Sequence, residues 1–146
     1  PEFNYFLEFI NKYPTIETYK TEWKVFDSKS SVAGTIDMVY KKPNGELFIF
    51  DWKRTTKLVN DIGTIIKSDF EYGYDELENL SNNSYNKYCL QQNLYKYILE
   101  DNYGEKVSSM NILVLHPRYH TYFHLQVPNL IKETEFLIRK AREKSI

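Results

Sequence analysis

Asp37, Asp51 and Lys53 are the residues of this 146-residue chain whose types and spacing suggest chemistry. Asp37 interrupts the apolar run Ile36, Met38, Val39, and Asp51 follows Leu47-Phe48-Ile49-Phe50, with Lys53 two residues on. A carboxylate in an apolar strand costs stability unless something compensates it. Between the two runs lies Pro43-Asn44-Gly45, suited to a three-residue hairpin loop in which proline sets the first φ and glycine takes the left-handed position. That loop faces Lys42 to Glu46 and therefore Asp37 to Asp51, and period-two alternation puts Lys53 on the same face. Directly opposed carboxylates repel, and a bound divalent cation is the economical remedy. A two-residue Asn-Gly loop would instead oppose Asp37 to Trp52 and disperse the cluster, so the reading depends on register.

The elements that must position these groups can be read in outline. Residues 4–12 predict a short helix with Tyr5, Phe6, Phe9 and Ile10 as its stripe, and 18–26 a strand bearing Glu22 and Lys24 opposite Trp23 and Val25. Strands follow near 33–42, 46–53, 110–116 and 119–127. The hairpin is apolar on both faces, with Val39, Leu47 and Ile49 beside the acids and Ile36, Met38, Phe48, Phe50 and Trp52 behind, so helices must cover both sides. The strongest helix is 85–102, with Leu90, Leu94, Tyr97 and Ile98 as its apolar stripe, Gln91 and Tyr95 on its flank, and Gly104 as its cap. Asn129 is placed to cap a last helix through Lys144. The intervening stretch, 57–86, has weak periodicity and predicts a flap beside the active face, with a short helix around Thr64–Asp69. The fold class is α/β (α+β): a central mixed sheet of about five strands flanked by helices on both faces, in one domain spanning 1–146.

Composition bounds the function. The chain is rich in aromatics, with 13 Tyr, 9 Phe and 2 Trp, and no run approaches membrane-spanning length, which predicts no membrane partner. The single Cys89 excludes an intrachain disulfide and any cysteine-only metal or iron–sulfur site, and fits an intracellular setting. A net charge of −1 does not announce a nucleic-acid binder, but the acidity is concentrated in residues 58–108, and masking the acids by metal would leave the site side basic. The chain does not begin with Met, and is expected to be part of a larger protein. His120 and His124, four apart on one strand face, read as surface residues, and His116 before Pro117 as structural.

Glu22 on one strand, Gly34-Thr35-Ile36-Asp37 on the next, Asp51-Trp52-Lys53 on a third and Gln91-x-x-x-Tyr95 on a helix, in that order, resemble the PD-(D/E)XK nuclease superfamily. Within it the chain is most similar to the RecB-like branch of exonuclease and endonuclease domains, including those of large DNA viruses and phages. The resemblance implies a restriction-endonuclease-like core and a Mg²⁺- or Mn²⁺-dependent nuclease acting on DNA, with one or two ions and no iron–sulfur cluster. It makes Asp37 and Asp51 metal ligands along with the Trp52 backbone carbonyl, gives Glu22 the part of completing or orienting the metal shell, and has Lys53 position the attacking water. Gln91 and Tyr95 would contact substrate or brace the site, with Arg54 and Thr55 also on the substrate side. The upstream helix brings no histidine. An RNA endonuclease of the same fold, and a module on that fold that binds nucleic acid or protein without cutting, are the alternatives.

Overall fold

The computed structural model describes residues 2–12, 17–66 and 84–144. In chain order its elements are α1 (Glu2–Asn11), β1 (Glu17–Phe26), β2 (Ala33–Lys41), β3 (Leu47–Lys53), α2 (Ser84–Asn102), β4 (Val107–Val114), β5 (Phe123–Gln126) and α3 (Ile131–Lys144). The sheet runs β1-β2-β3-β4-β5. Its pairings are antiparallel except β3 with β4, which is parallel. This is an α+β mixed sheet, and the crossover from β3 to β4 carries α2. No helix among the described residues is long and apolar enough to cross a membrane.

The hairpin has the three-residue register. Lys41 pairs with Leu47, Tyr40 with Phe48, Val39 with Ile49 and Met38 with Phe50. The loop closes through Lys42 N–H to the Glu46 carbonyl and Gly45 N–H to the Lys42 carbonyl, both at 2.9 Å, and Gly45 takes φ +89°. That conformation is unstrained only without a Cβ. Lys42 and Glu46 add an ion pair at 3.6 Å.

Both faces of the sheet are covered. Val39, Leu47, Ile49, Ile112 and Val114 pack with Cys89, Tyr95, Ile98 and Leu99 of α2, while Tyr40, Phe50 and Leu113 pack with Tyr5 and Phe9 of α1. Ile36 departs from the expected alternation: it packs in the same cluster as Val39, three residues on, rather than behind the sheet. The irregularity falls between Ile36 and Met38, at Asp37. Opposite it on β1 sits Glu22, whose φ of 47° makes it the one non-glycine residue with positive φ among those described.

Four sequence expectations need correction. The buried face of α2 is turned from the predicted stripe: Cys89, Gln92, Asn93, Tyr95, Ile98 and Leu99 are buried, while Leu90, Leu94 and Tyr97 are partly exposed. Asn93 explains part of the rotation, since its amide donates to the Pro128 carbonyl and accepts from Leu130 N–H, serving backbone groups ahead of α3. Asn129 does not cap α3; its Oδ1 accepts from Lys96 Nζ at 2.9 Å. Residues 64–66 are not helical: Ile65 bridges to Val59 across a tight turn held by Asn60. The rest of the predicted helix and most of the predicted flap lie outside the described residues. His124 is half-buried, edge-to-face with Phe9 and tilted against Phe50, and hydrogen-bonded to Asn111 at 2.7 Å, whereas His120 is exposed and β5 begins only at Phe123.

Candidate metal centre

Backbone alternation places the acids. Lys42 exchanges a hydrogen bond with Glu46, so even-numbered β3 residues turn their backbone groups toward β2, and Lys53 turns its carbonyl to Leu115 N–H beyond β4. The paired register ends at Met38–Phe50, and Asp37 and Asp51 are the next residue on each strand. The Asp37 carboxyl is near enough to Asp51 to push the Asp51 carboxyl up. The next ladder bond is taken by a side chain: Trp52 N–H donates to Asp37 Oδ2 at 2.9 Å. The same alternation puts the Trp52 carbonyl on the β2-facing side of the strand, beside Asp37.

Asp51 is only 6% exposed, and Lys53 Nζ lies 2.9 Å from its Oδ2. The two form a close ion pair. Burial, reinforced by the neighbouring Asp37, pushes the Asp51 carboxyl up to about 6, with Lys53 pulling the other way. A buried carboxylate beside a second, partly exposed one suits a hard cation. Mg²⁺ characteristically takes one or two protein carboxylates and leaves its other positions to water and phosphate. Asp37, Asp51 and the Trp52 carbonyl fit that donor set. No group of three or more His, Cys, Asp or Glu gathers for a metal among the described residues.

Glu22 is the expected ligand that the fold leaves outside. It is exposed at the strand irregularity, and the charges acting on Asp51 are those of Asp37 and Lys53. Gln91 is half-buried with its Oε1 enclosed and unpartnered, lining a cavity of about 310 Å³ with Val32, Ala33, Lys87 and Leu94. Tyr95 is buried and braces the strand: its hydroxyl engages the Thr35 backbone, and its ring occupies the place that a Cβ on Gly34 would fill. The glycine of the Gly-x-x-Asp strand and the tyrosine of the Gln-x-x-x-Tyr helix are thus two halves of one contact. Thr55 Oγ1 accepts from Lys57 N–H in the turn leaving β3, and Arg54 is exposed there.

Two features escape the sequence reading. Tyr88 lies under Lys53, its ring centroid 4.1 Å from Nζ, so the ammonium is held between an aromatic face and Asp51. Its place one turn before Gln91 and two before Tyr95 is the available signal. The second feature is Asp27, in sequence no more than part of a polar turn. It is 1% exposed and bidentate to Arg142 (2.8 and 3.0 Å), with Asn102 and Ser30 also donating. Those bonds hold its carboxyl far below the usual range and tie α3 and α2 to the β1–β2 turn.

No protein-family model matches this chain, and no curated protein matches it. Among solved structures it is similar to the crystal structure of SSO0001, at 13% identity and a TM-score of 0.43, over 94% of this chain and 55% of that one. The chain therefore spans about half the length of that protein. A likeness at that score carries no argument about function.

Proposed function

We propose that this domain is a Mg²⁺- or Mn²⁺-dependent nuclease of PD-(D/E)XK type, with a restriction-endonuclease-like core, that hydrolyses phosphodiester bonds in DNA. The observation that carries the reading is the gathering of Asp37, whose Oδ2 accepts from Trp52 N–H at 2.9 Å, with buried Asp51 and with Lys53 Nζ 2.9 Å from that acid. A divalent cation bound there supplies Lewis acidity toward a phosphoryl oxygen and acidifies a water. The chain's own groups do the rest. Asp37 and Asp51 bring negative charge to one point, and the bond from Trp52 N–H fixes the Asp37 rotamer. Lys53, steadied on Tyr88, orients the attacking water and offsets charge growing on the phosphate. Tyr95, wedged against Gly34, sets the position of the strand that carries Asp37.

A second reading, a non-cleaving binding module on the same fold, draws on the exposure of Glu22, which leaves the centre with two acids. Calorimetry separates the two. A nuclease centre binds Mn²⁺ in the micromolar-to-millimolar range and loses it in Asp37→Asn, whereas a module that only binds shows no such heat. An RNA endonuclease is distinguished by presenting single-stranded RNA, single-stranded DNA and duplex DNA side by side.

A further inference from the structure

At the sheet edge, Tyr19, Trp23 and Phe26 of β1 and Tyr103, just after α2, form a row of four aromatic rings. Tyr19 and Trp23 are 5.9 Å apart, Trp23 and Tyr103 5.5 Å, and Tyr103 and Phe26 6.3 Å between centroids, each pair edge-to-face. Phe26 is 60% exposed and Tyr19 36%, unusual for rings at the end of a continuous row. Cations attend the row: Lys41 Nζ lies 4.5 Å from the Tyr19 centroid, and Lys20 Nζ 5.5 Å from both Tyr19 and Trp23. At the far end a cavity of about 340 Å³ opens between Phe26, Tyr103, Ser28, Lys29, Asn102 and Asp101, the last paired with Arg142 at 2.8 Å. The row also lies beside the candidate metal centre, because Trp23 pairs with Ile36, the neighbour of Asp37, and Trp23 and Tyr103 pack on the cluster that holds Ile36 and Tyr95.

We propose that this row is a stacking track for an unpaired strand of nucleic acid, with Lys20, Lys29 and Lys41 taking the phosphates and the Phe26–Tyr103 cavity taking a base. Aromatic faces with interleaved cations bind single strands without regard to sequence, since every base has a π-face. A duplex keeps its bases stacked inside and has no use for the rings. Glu22, exposed within this stretch, adds a negative charge where the strand turns toward Asp37, so the cationic contacts fall on either side of it. The track deepens the nuclease reading by naming its substrate as single-stranded, and it rests on that reading for the cleavage step.

The test is fluorescence anisotropy of an end-labelled twelve-nucleotide oligodeoxythymidine in EDTA, so that binding is read without cleavage. Tyr19→Ala and Phe26→Ala each remove an exposed ring, and each raises Kd on the order of tenfold; blunt duplex of equal length is affected less than twofold. Lys41→Glu weakens binding and flattens its salt dependence. Phe26→Tyr restores affinity, which separates stacking from any loss of fold, and melting curves confirm that the variants are folded. An equal loss on oligouridine supports a track that reads ring faces rather than sugars. Unchanged affinity in the folded Tyr19→Ala/Phe26→Ala double variant overturns the proposal, as does a concentration-dependent dimer that hides the row. If Asp51→Ala and wild type both bind the oligonucleotide through these rings and neither cleaves it with Mn²⁺, the nuclease reading falls while the track stands.

Discussion

Asp51→Asn should make the metal-free protein more stable while destroying its metal site. The carboxyl of Asp51 is raised from 3.8 to about 6 in the folded state by burial and by Asp37. A raised pKa means that the folded state holds the proton more tightly than the unfolded chain does. The resulting stabilisation is complete below about pH 4 and is lost as pH rises through about 6. A rise of that size is worth about 3 kcal/mol, and the opposing pull of Lys53 is already contained in it. Asparagine is close in shape to the protonated acid, so at pH 8 the variant should exceed wild type by up to about 3 kcal/mol, or roughly 6–12 °C in melting temperature for a chain of this size. At pH 4 the two should coincide. Adding Mn²⁺ at 100 times its Kd returns about 2.7 kcal/mol to wild type and nothing to the variant, so the order of melting temperatures closes or reverses. Differential scanning fluorimetry at pH 4 and pH 8, with EDTA or Mn²⁺, reads all four corners. A variant that melts below wild type at pH 8 in EDTA, or gains as much at pH 4, would refute the reasoning.

Single contacts set further outcomes. Gly34→Ala drives a Cβ into the Tyr95 ring and should cost on the order of 1–3 kcal/mol; Tyr95→Leu should absorb most of that penalty, giving a coupling energy above about 0.5 kcal/mol in a denaturant double-mutant cycle. Arg142→Ala leaves the buried Asp27 charge unpaired and should destabilise by about 3 kcal/mol at neutral pH. Because the Asp27 carboxyl is held below its ordinary value, its contribution is present above about pH 4 and is lost as pH falls through the folded value, so urea midpoints of wild type and variant should converge in strong acid. Tyr88→Leu removes the ring beneath Lys53 and should lower kcat on the order of tenfold with little change in KM, while Tyr88→Phe keeps the ring and most of the rate.

Legible in the sequence is what local rules decide. Pro43-Asn44-Gly45 selects the loop, and the loop selects the register, which the structure shows from Lys41–Leu47 to Met38–Phe50, one residue short of Asp37 and Asp51. Glu22 falls on the strand expected of it, but its positive φ and the break in alternation at Asp37 arise from two strands distorting together, which no periodicity in either one reports. The buried face of α2 is hidden from pattern reading because Gln92 and Asn93 look polar while the fold buries them, Asn93 for the sake of distant backbone groups. Asp27 and Arg142 are 115 residues apart, and a buried ion pair of that span has no sequence signature. The half-burial of His124 is equally hidden, because strand alternation says which residues share a face, not that α1 lies across that face.

The central claim is that the Asp37–Asp51 pair is a metal-dependent centre for phosphodiester hydrolysis. Its most direct test is cleavage of end-labelled DNA, single-stranded and duplex, by wild type, Asp51→Ala and Lys53→Ala in Mg²⁺, Mn²⁺ and excess EDTA. The prediction is cleavage by wild type with either ion, none in EDTA, and loss on the order of a hundredfold or more in both variants while their melting curves remain cooperative. Full activity in either variant, or activity that survives EDTA, would contradict it.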